Sequence, residues 1–293
     1  MGFWPHLFLA SLEGAVQAAV LALTAVGLSL VFGVLRVVNV AHGEFFMLGA
    51  VTASVIASLA GGHPALGFAL ALVIAPLISG LIAMAADWLI LKRLNYEPEA
   101  TIVATIGLLY ILQQSVLMTF GPDARSVTPP FSLRIQFPWF GYSGYKLFVI
   151  AAALAVLALV WFLLSRTKLG LVMRATQQDR EMAQAFAIPV ELVYALVFGL
   201  GAALAALGAT LIVPVQQAHY LMGGDPLLLS FIVVIIGGLG SLPGTLLAAL
   251  IIGLSDGIIS VFFSPTLAKI IATLLVALVL VFRPQGLFGA KPR

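Results

Sequence analysis

The sequence predicts an all-α, polytopic bundle of membrane-spanning helices, eight to nine spans with one short helix outside the bilayer, and three observations lead there. Of 293 residues, 62% are hydrophobic and only 9% charged, where a soluble domain carries about a quarter; mean hydropathy is +1.16. Uncharged runs long enough for a helix to cross a bilayer recur along the whole chain. Alternation of apolar and polar residues over roughly 10-residue segments, which a membrane barrel requires, is absent. The chain therefore reads as one transmembrane domain over residues 1–293. With no Cys it has no disulfide and no thiolate metal site, and its net charge of +3 suits membrane edges better than nucleic acid.

Taken in order, residues 2–14 hold no Lys or Arg and no small-residue cleavage site, so the first span, about residues 14–35, is expected to stay in the protein. Arg36 closes it. The next stretch, VVNVAHGEFFMLGA at 37–50, crowds Asn39, His42 and Glu44 against a second apolar run. A charge at mid-membrane costs on the order of 2.5–3.5 kcal/mol, so these groups need water or partners. Two readings are open from the residues: helix-start chemistry, with Asn39 as cap and Glu44 against the dipole, or a lining of a translocation path or gate.

Residues 45–86 are 42 positions without a charge, broken by GGHP at 61–64, and form a hairpin of two spans ended by Lys92 and Arg93. A fourth span, about 100–120, carries Gln113 and Gln114, which either tie helices together or touch solute. Residues 121–145, with four Pro and many aromatics, read as an irregular loop. A fifth span, about 146–164, leads to the one long polar segment, 165–191. Helix formers over 172–186 predict a continuous surface helix with Met182 and Phe186 on one face. It either lies on lipid headgroups or docks into a partner.

A sixth span, about 190–213, is rich in small residues, among them Gly199 and Gly208, that let helices approach closely. In GGDP at 223–226, Asp225 is expected to cap a helix with Pro226 at its first position. Residues 226–255 are uncharged but broken by GGLGSLPG at 237–244. Gly253 and Gly257 give a GxxxG packing face, and a last span runs about 266–282. Asp256 and Lys269 are placed to pair, structurally or as a proton relay. No internal sequence repeat is evident.

Arg36, Lys92 with Arg93, and the basic groups of 166–180 and 283–293 fall on one side if there are nine crossings, N-terminus outside and C-terminus cytoplasmic. Arg125, Arg134 and Lys146 fall on the other. The segment 226–240 is about 22 Å long as a helix, short for a crossing, and without it the count is eight.

The chemistry excluded is as informative. No Gly-Lys pair occurs, so no P-loop can cradle ATP; the four His are scattered without HExxH, and GxSxG is missing. No catalytic, metal or cofactor site is expected, and any ATP is hydrolysed by another chain. Three stretches carry a family likeness. EMAQAFA at 181–187 resembles the EAA-x3-Gly cytoplasmic loop of ABC importer permeases, with Met182 for the first Ala and Ala187 where the family has Gly. NxAHGExxMLGA at 39–50 and GGLGSLPGTLL at 237–247 resemble blocks of the permeases that import branched-chain amino acids. The resemblance implies a prokaryotic cytoplasmic membrane and a coupling role for Arg174, Arg180, Glu181, Met182 and Phe186. It also implies two ATP-binding subunits, a second related permease and an extracytoplasmic binding protein as partners. A secondary transporter or channel for small polar solutes, amides and urea included, and a non-transporting scaffold are the other readings.

Overall fold

The computed structural model describes residues 2–283 and 285–288. The helices are α1 (Phe3–Leu35), α2 (His42–Leu59), α3 (Pro64–Ala86), α4 (Pro98–Phe120), α5 (Gly144–Arg166), α6 (Lys168–Gln178), α7 (Arg180–Ala185), α8 (Val190–Ile212), α9 (Gly224–Gly237), α10 (Leu242–Phe262) and α11 (Pro265–Phe282). A π turn, Asp87–Leu91, and a 3-10 turn, Lys92–Leu94, carry α3 on to the end of its span. Strands β1 (Arg134–Gln136) and β2 (Gly141–Ser143) form a small antiparallel hairpin inside the loop expected to be irregular. Eight helices among the described residues are long and apolar enough to cross a membrane; α9 is shorter.

Several boundaries differ from expectation for physical reasons. α1 begins at Phe3, well before residue 14, because Glu13 is accommodated there by an ion pair with Lys146 at 2.6 Å. The same contact, with Lys146 also 5.7 Å from the Tyr142 ring, gives that cation a local partner. Arg125 is likewise held, donating to the Phe120 carbonyl at 3.0 Å while its backbone bridges Ala218. Asp225 is not the cap of α9 but lies in its first turn, behind Gly223.

α1 and α8 cross at the centre of the bundle, where Gly27 and Gly201 meet backbone to backbone: a Cβ on Gly27 would stand 2.5 Å from the Gly201 carbonyl oxygen, and one on Gly201 2.8 Å from that of Gly27. Gly43 and Gly223, at the starts of α2 and α9, abut in the same reciprocal way. Around these two self-paired contacts the packing repeats: α10 lies on α1 as α3 lies on α8, α9 on α1 as α2 on α8, α10 on α9 as α3 on α2, and α11 on α9 as α4 on α2. Two four-helix units, α1–α4 and α8–α11, are thus related by a pseudo-twofold axis in the membrane plane, an inverted repeat. The sequence hides it because helix packing in lipid asks only for small residues at contacts. Thr245 Oγ1, which donates to the Ser241 carbonyl, accepts from Ser29 Oγ at 3.0 Å where the other unit sets Gly80 over Ala203.

α2 and α9 begin at mid-depth, beside Gly27, so α9, about 21 Å long, covers one half of the slab. The non-helical stretch 213–223 returns the chain from the end of α8 to that depth, so that it and α9 together run from one end of the bundle to the other. α1 therefore starts, and α11 ends, at opposite faces of the bundle, here named the N face, where α1 starts, and the C face, where α11 ends.

Candidate functional site

On the N face a cleft of ≈ 660 Å³ descends between α1, α9, α10 and α11. α1 contributes Glu13, Gln17, Val20 and Thr24, spaced three or four apart and so on one helix face. The return stretch adds Gln216 and His219, α10 adds Asp256 and Ser260, and α11 adds Lys269. Lys269 pairs with Asp225 at 2.5 Å, not with Asp256 as the spacing suggested, because α11 packs across the start of α9. Charges of both signs share the cleft with Val20, Leu21 and Leu229. Such walls offer complementary surfaces to a small solute with a charged head and an apolar side chain.

The floor is Thr24, Phe46 and Met222, at the junction of the two half-depth helices. Directly behind it lie Asn39, His42 and Glu44, each buried. Asn39 Oδ1 accepts from the Ala41 amide at 3.1 Å and so shapes the turn into α2, but the N-cap position is Ala41. His42 Nε2 lies 2.9 Å from the Thr24 carbonyl oxygen; a carbonyl only accepts, so Nε2 carries a proton. His42 Nδ1 and Glu44 Oε2 have no partner among the described residues. Leaving such groups buried and unpaired costs about 1–3 kcal/mol each. The positive ends of α2 and α9 converge here, each with one carboxylate in its first turn, Glu44 and Asp225. The three polar groups therefore underlie the floor without lining the cleft.

Gln113 and Gln114 stand apart from this cluster on α4, half-buried and exposed respectively. Gly199, Gly253 and Gly257 lie at close helix contacts: a Cβ at Gly199 would stand 2.5 Å from Met84 Cγ, and Cβ atoms at Gly253 and Gly257 would overlap the backbones of Ala18 and Gly14. Gly208 is less tight, 3.3 Å from Thr24 Oγ1.

On the C face the expected continuous helix is two helices broken at Asp179, whose extended backbone and side chain cap α7: Oδ1 accepts from the Met182 amide at 3.0 Å. Asp is a strong N-cap and only a middling helix former, and the cap prevails. α6 is tied down by Arg174, which donates to the Leu164 carbonyl, and by Arg36, which donates to that of Gln177 at 3.3 Å. After α7 the chain turns at Ala187 with φ 59, and the Ile188 amide closes back on the Ala183 carbonyl at 3.1 Å. The tight turn that a Gly would favour is kept by an Ala, at a cost of about 1–2 kcal/mol. Met182 and Phe186 are exposed on this element, Phe186 at 74%.

Arg180 is not free. Its guanidinium lies 5.8 Å from the Tyr96 ring and 5.6 Å from that of Tyr194, and the two rings meet edge to face at 4.6 Å. Tyr96 donates to Asp87 Oδ2 at 3.3 Å; burial first, then the Asp87 carboxylate, push its phenol above the ordinary value, so it stays a donor. Lys92 and Glu191 pair at 2.7 Å beside it. Asp87, Tyr96 and Tyr194 escape sequence reading because their contacts join three separate elements. The one local sign is an Asp placed five residues before the Lys that ends the span.

Residues 11–280 match the family described as branched-chain amino acid transport system / permease component. The chain belongs to this family. Among curated relatives it is 28% identical to the high-affinity branched-chain amino acid transport system permease protein BraD of Pseudomonas aeruginosa, over 97% of this chain and 96% of that one. It is 28% identical to the LivH permease of Escherichia coli over 94% of each, and 27% identical to a probable LivH of Methanocaldococcus jannaschii over 95% and 91%. The solved structure of PsaBC from Streptococcus pneumoniae in complex with Fab shares the fold, with a TM-score of 0.50 at 13% identity, over 93% of this chain and 91% of that chain. As a permease component, the chain is a multi-pass membrane transport subunit.

Proposed function

We propose that this permease carries branched-chain or related amino acids inward, driven by two ATP-binding subunits on its C face, with a second related permease beside it and a binding protein delivering solute to its N face. The observation that supports this reading most is the opposition of the two faces. A charged cleft opens on one, and on the other a rigid, capped helix presents Met182 and Phe186 to solvent. The C face is then cytoplasmic, in keeping with Arg36, Lys92, Arg93, Arg166 and Lys168 gathered there. Residues 165–191 form the coupling segment, in which Met182 and Phe186 fill an apolar groove on the ATPase and Glu181 sits at the rim. Asn39, His42 and Glu44 act as the gate beneath the cleft. Gln113 and Gln114 face the neighbouring permease, since an exposed amide within a span is stabilised by a hydrogen-bonding partner.

Two measurements test it together. A cysteine at Gln178 is expected to react only from the cytoplasm and one at Ser132 only from outside, in a background that has no other thiol. ATPase subunits should co-purify with the chain. Labelling of both positions from one side, or a chain that purifies without any ATPase, would count against the assignment and favour a channel or secondary transporter.

A further inference from the structure

Two cavities in the C-face half of the bundle share no residue with the N-face cleft and meet each other at the same two side chains. One, of ≈ 550 Å³, is an apolar groove with α1 as its floor and α5 and α10 as its walls, and α6 crosses its C-face end. The floor is Val26, Leu30 and Val34, spaced four apart and so on one face of α1. Trp161 of α5 and Leu246 of α10 stand exposed at its rim. From Val26 to Val34 the groove follows α1 for about 12 Å, against about 15 Å for the hydrocarbon of one leaflet. The other cavity, of ≈ 530 Å³, continues past the end of α1 and has Arg36, Arg174, Gln177 and Gln178 in its wall. Arg174 and Gln177 line both, and the Gln177 amide nitrogen lies beside Gly33 and Gly240, where the two cavities join.

We propose that the two cavities together hold one anionic phospholipid of the C-face leaflet, with an acyl chain in the groove and the phosphate between Arg36 and Arg174. Each guanidinium is positioned by a backbone carbonyl, Arg36 by that of Gln177 at 3.3 Å and Arg174 by that of Leu164. A guanidinium has five donors in a planar fork, so both keep donors for a phosphate oxygen. Among the described residues neither Arg is in an ion pair, and no carboxylate lines either cavity. Two cations without counter-charge, at the level of the headgroups, favour a lipid of net negative charge over a zwitterionic one, whose ammonium finds no acidic partner there. The groove also opens on a different flank from the contact proposed for the second permease: α5 packs on α1 and α8, whereas α4, with Gln113 and Gln114, packs on α2. Lipid is what meets this flank in a membrane. Bound there, the phosphate ties α6, part of the coupling segment, to the end of α1. The proposal goes beyond the transport reading and takes from it only the side of the membrane on which this leaflet lies.

The test is lipid retention by the delipidated full chain, read by native mass spectrometry with dioleoyl phosphatidylglycerol and dioleoyl phosphatidylcholine as probes. The native chain should hold one phosphatidylglycerol roughly ten-fold or more tightly than phosphatidylcholine, as two nearby cations imply. Arg36→Gln combined with Arg174→Gln should bring the two lipids to parity, and the corresponding pair of Lys substitutions should keep most of the preference. Leu246→Trp, which fills the groove from its exposed rim, should weaken both lipids alike. Equal retention of the two lipids by the native chain, or a preference that survives the Gln pair, overturns the proposal. Should the Gln pair fail to fold, Leu246→Trp decides, and unchanged binding of both lipids by that variant overturns the groove. Excess glycerol 3-phosphate should leave the lipid bound; its displacement would make the polar cavity a site for free phosphates and not for lipid. The same measurement on the chain assembled with its second permease and ATPases should give the same preference, and its loss on assembly would assign the groove to a protein subunit instead.

Discussion

Phe186→Ala is expected to weaken binding of the ATPase by roughly 30-fold or more while leaving the membrane bundle folded. Truncating a buried aromatic anchor at an interface costs about 2 kcal/mol or more, and every 1.4 kcal/mol is a factor of ten. In the isolated chain the ring is 74% exposed on a helix whose start is capped by Asp179 and whose end is closed by the turn at Ala187. Nothing in the bundle leans on Phe186, so its loss should not travel into the membrane. Glu181→Ala, at the rim, should cost much less binding. The measurement is the amount of ATPase retained on each immobilised variant at matched loading. Full retention by Phe186→Ala would reduce α7 to an interfacial helix and move the coupling role elsewhere.

Gly253→Leu is expected to abolish assembly. At that position α10 touches α1 through backbone: a Cβ would overlap Ala18, and one turn later Gly257 meets Gly14 in the same way. The helices would have to separate over their whole shared face, and overpacking even one such contact costs about 1–3 kcal/mol. Gly208→Ala is a graded comparison, since its Cβ would lie 3.3 Å from Thr24 Oγ1 and a small shift accommodates it. Gly107→Leu is the silent control for the chain extracted without its partners, because within the chain a Cβ there meets nothing within 4 Å. Monodisperse yield after detergent extraction should rank Gly107→Leu near the native chain, Gly208→Ala slightly lower, and Gly253→Leu near zero. A Gly253→Leu protein that extracts as well as the native chain removes the packing role of this face.

How far the sequence could be read depends on what kind of force sets each feature. Spans α4, α5, α8 and α11 follow their apolar runs to within two residues, because hydropathy and helix propensity act along the chain. Gly253 and Gly257 were legible because a GxxxG face has a helical period. The break at Asp179 is local too, but there a cap competes with a run of helix formers, and the run misleads. What was hidden is what only the third dimension assembles. Lys269 finds Asp225 across two helices, 44 residues away, in place of the nearer Asp256. Asn39, His42 and Glu44 are recognisable as a cluster at a helix start, yet the junction of α2 with α9 that surrounds them needs Gly43 to find Gly223. The inverted repeat leaves no sequence trace, since Gly27 and Gly201 are matched in role within otherwise unlike helices.

The central claim, that this chain moves amino acids inward on ATP hydrolysed by its partners, is tested most directly by reconstitution. Proteoliposomes would hold this chain with its second permease and two ATPases, with the binding protein outside and ATP within. Labelled leucine, isoleucine or valine should accumulate against its gradient, and accumulation should stop when ATP is replaced by a non-hydrolysable analogue. Accumulation that persists without ATP and instead follows an imposed ion gradient would contradict the account and place the chain among ion-coupled transporters.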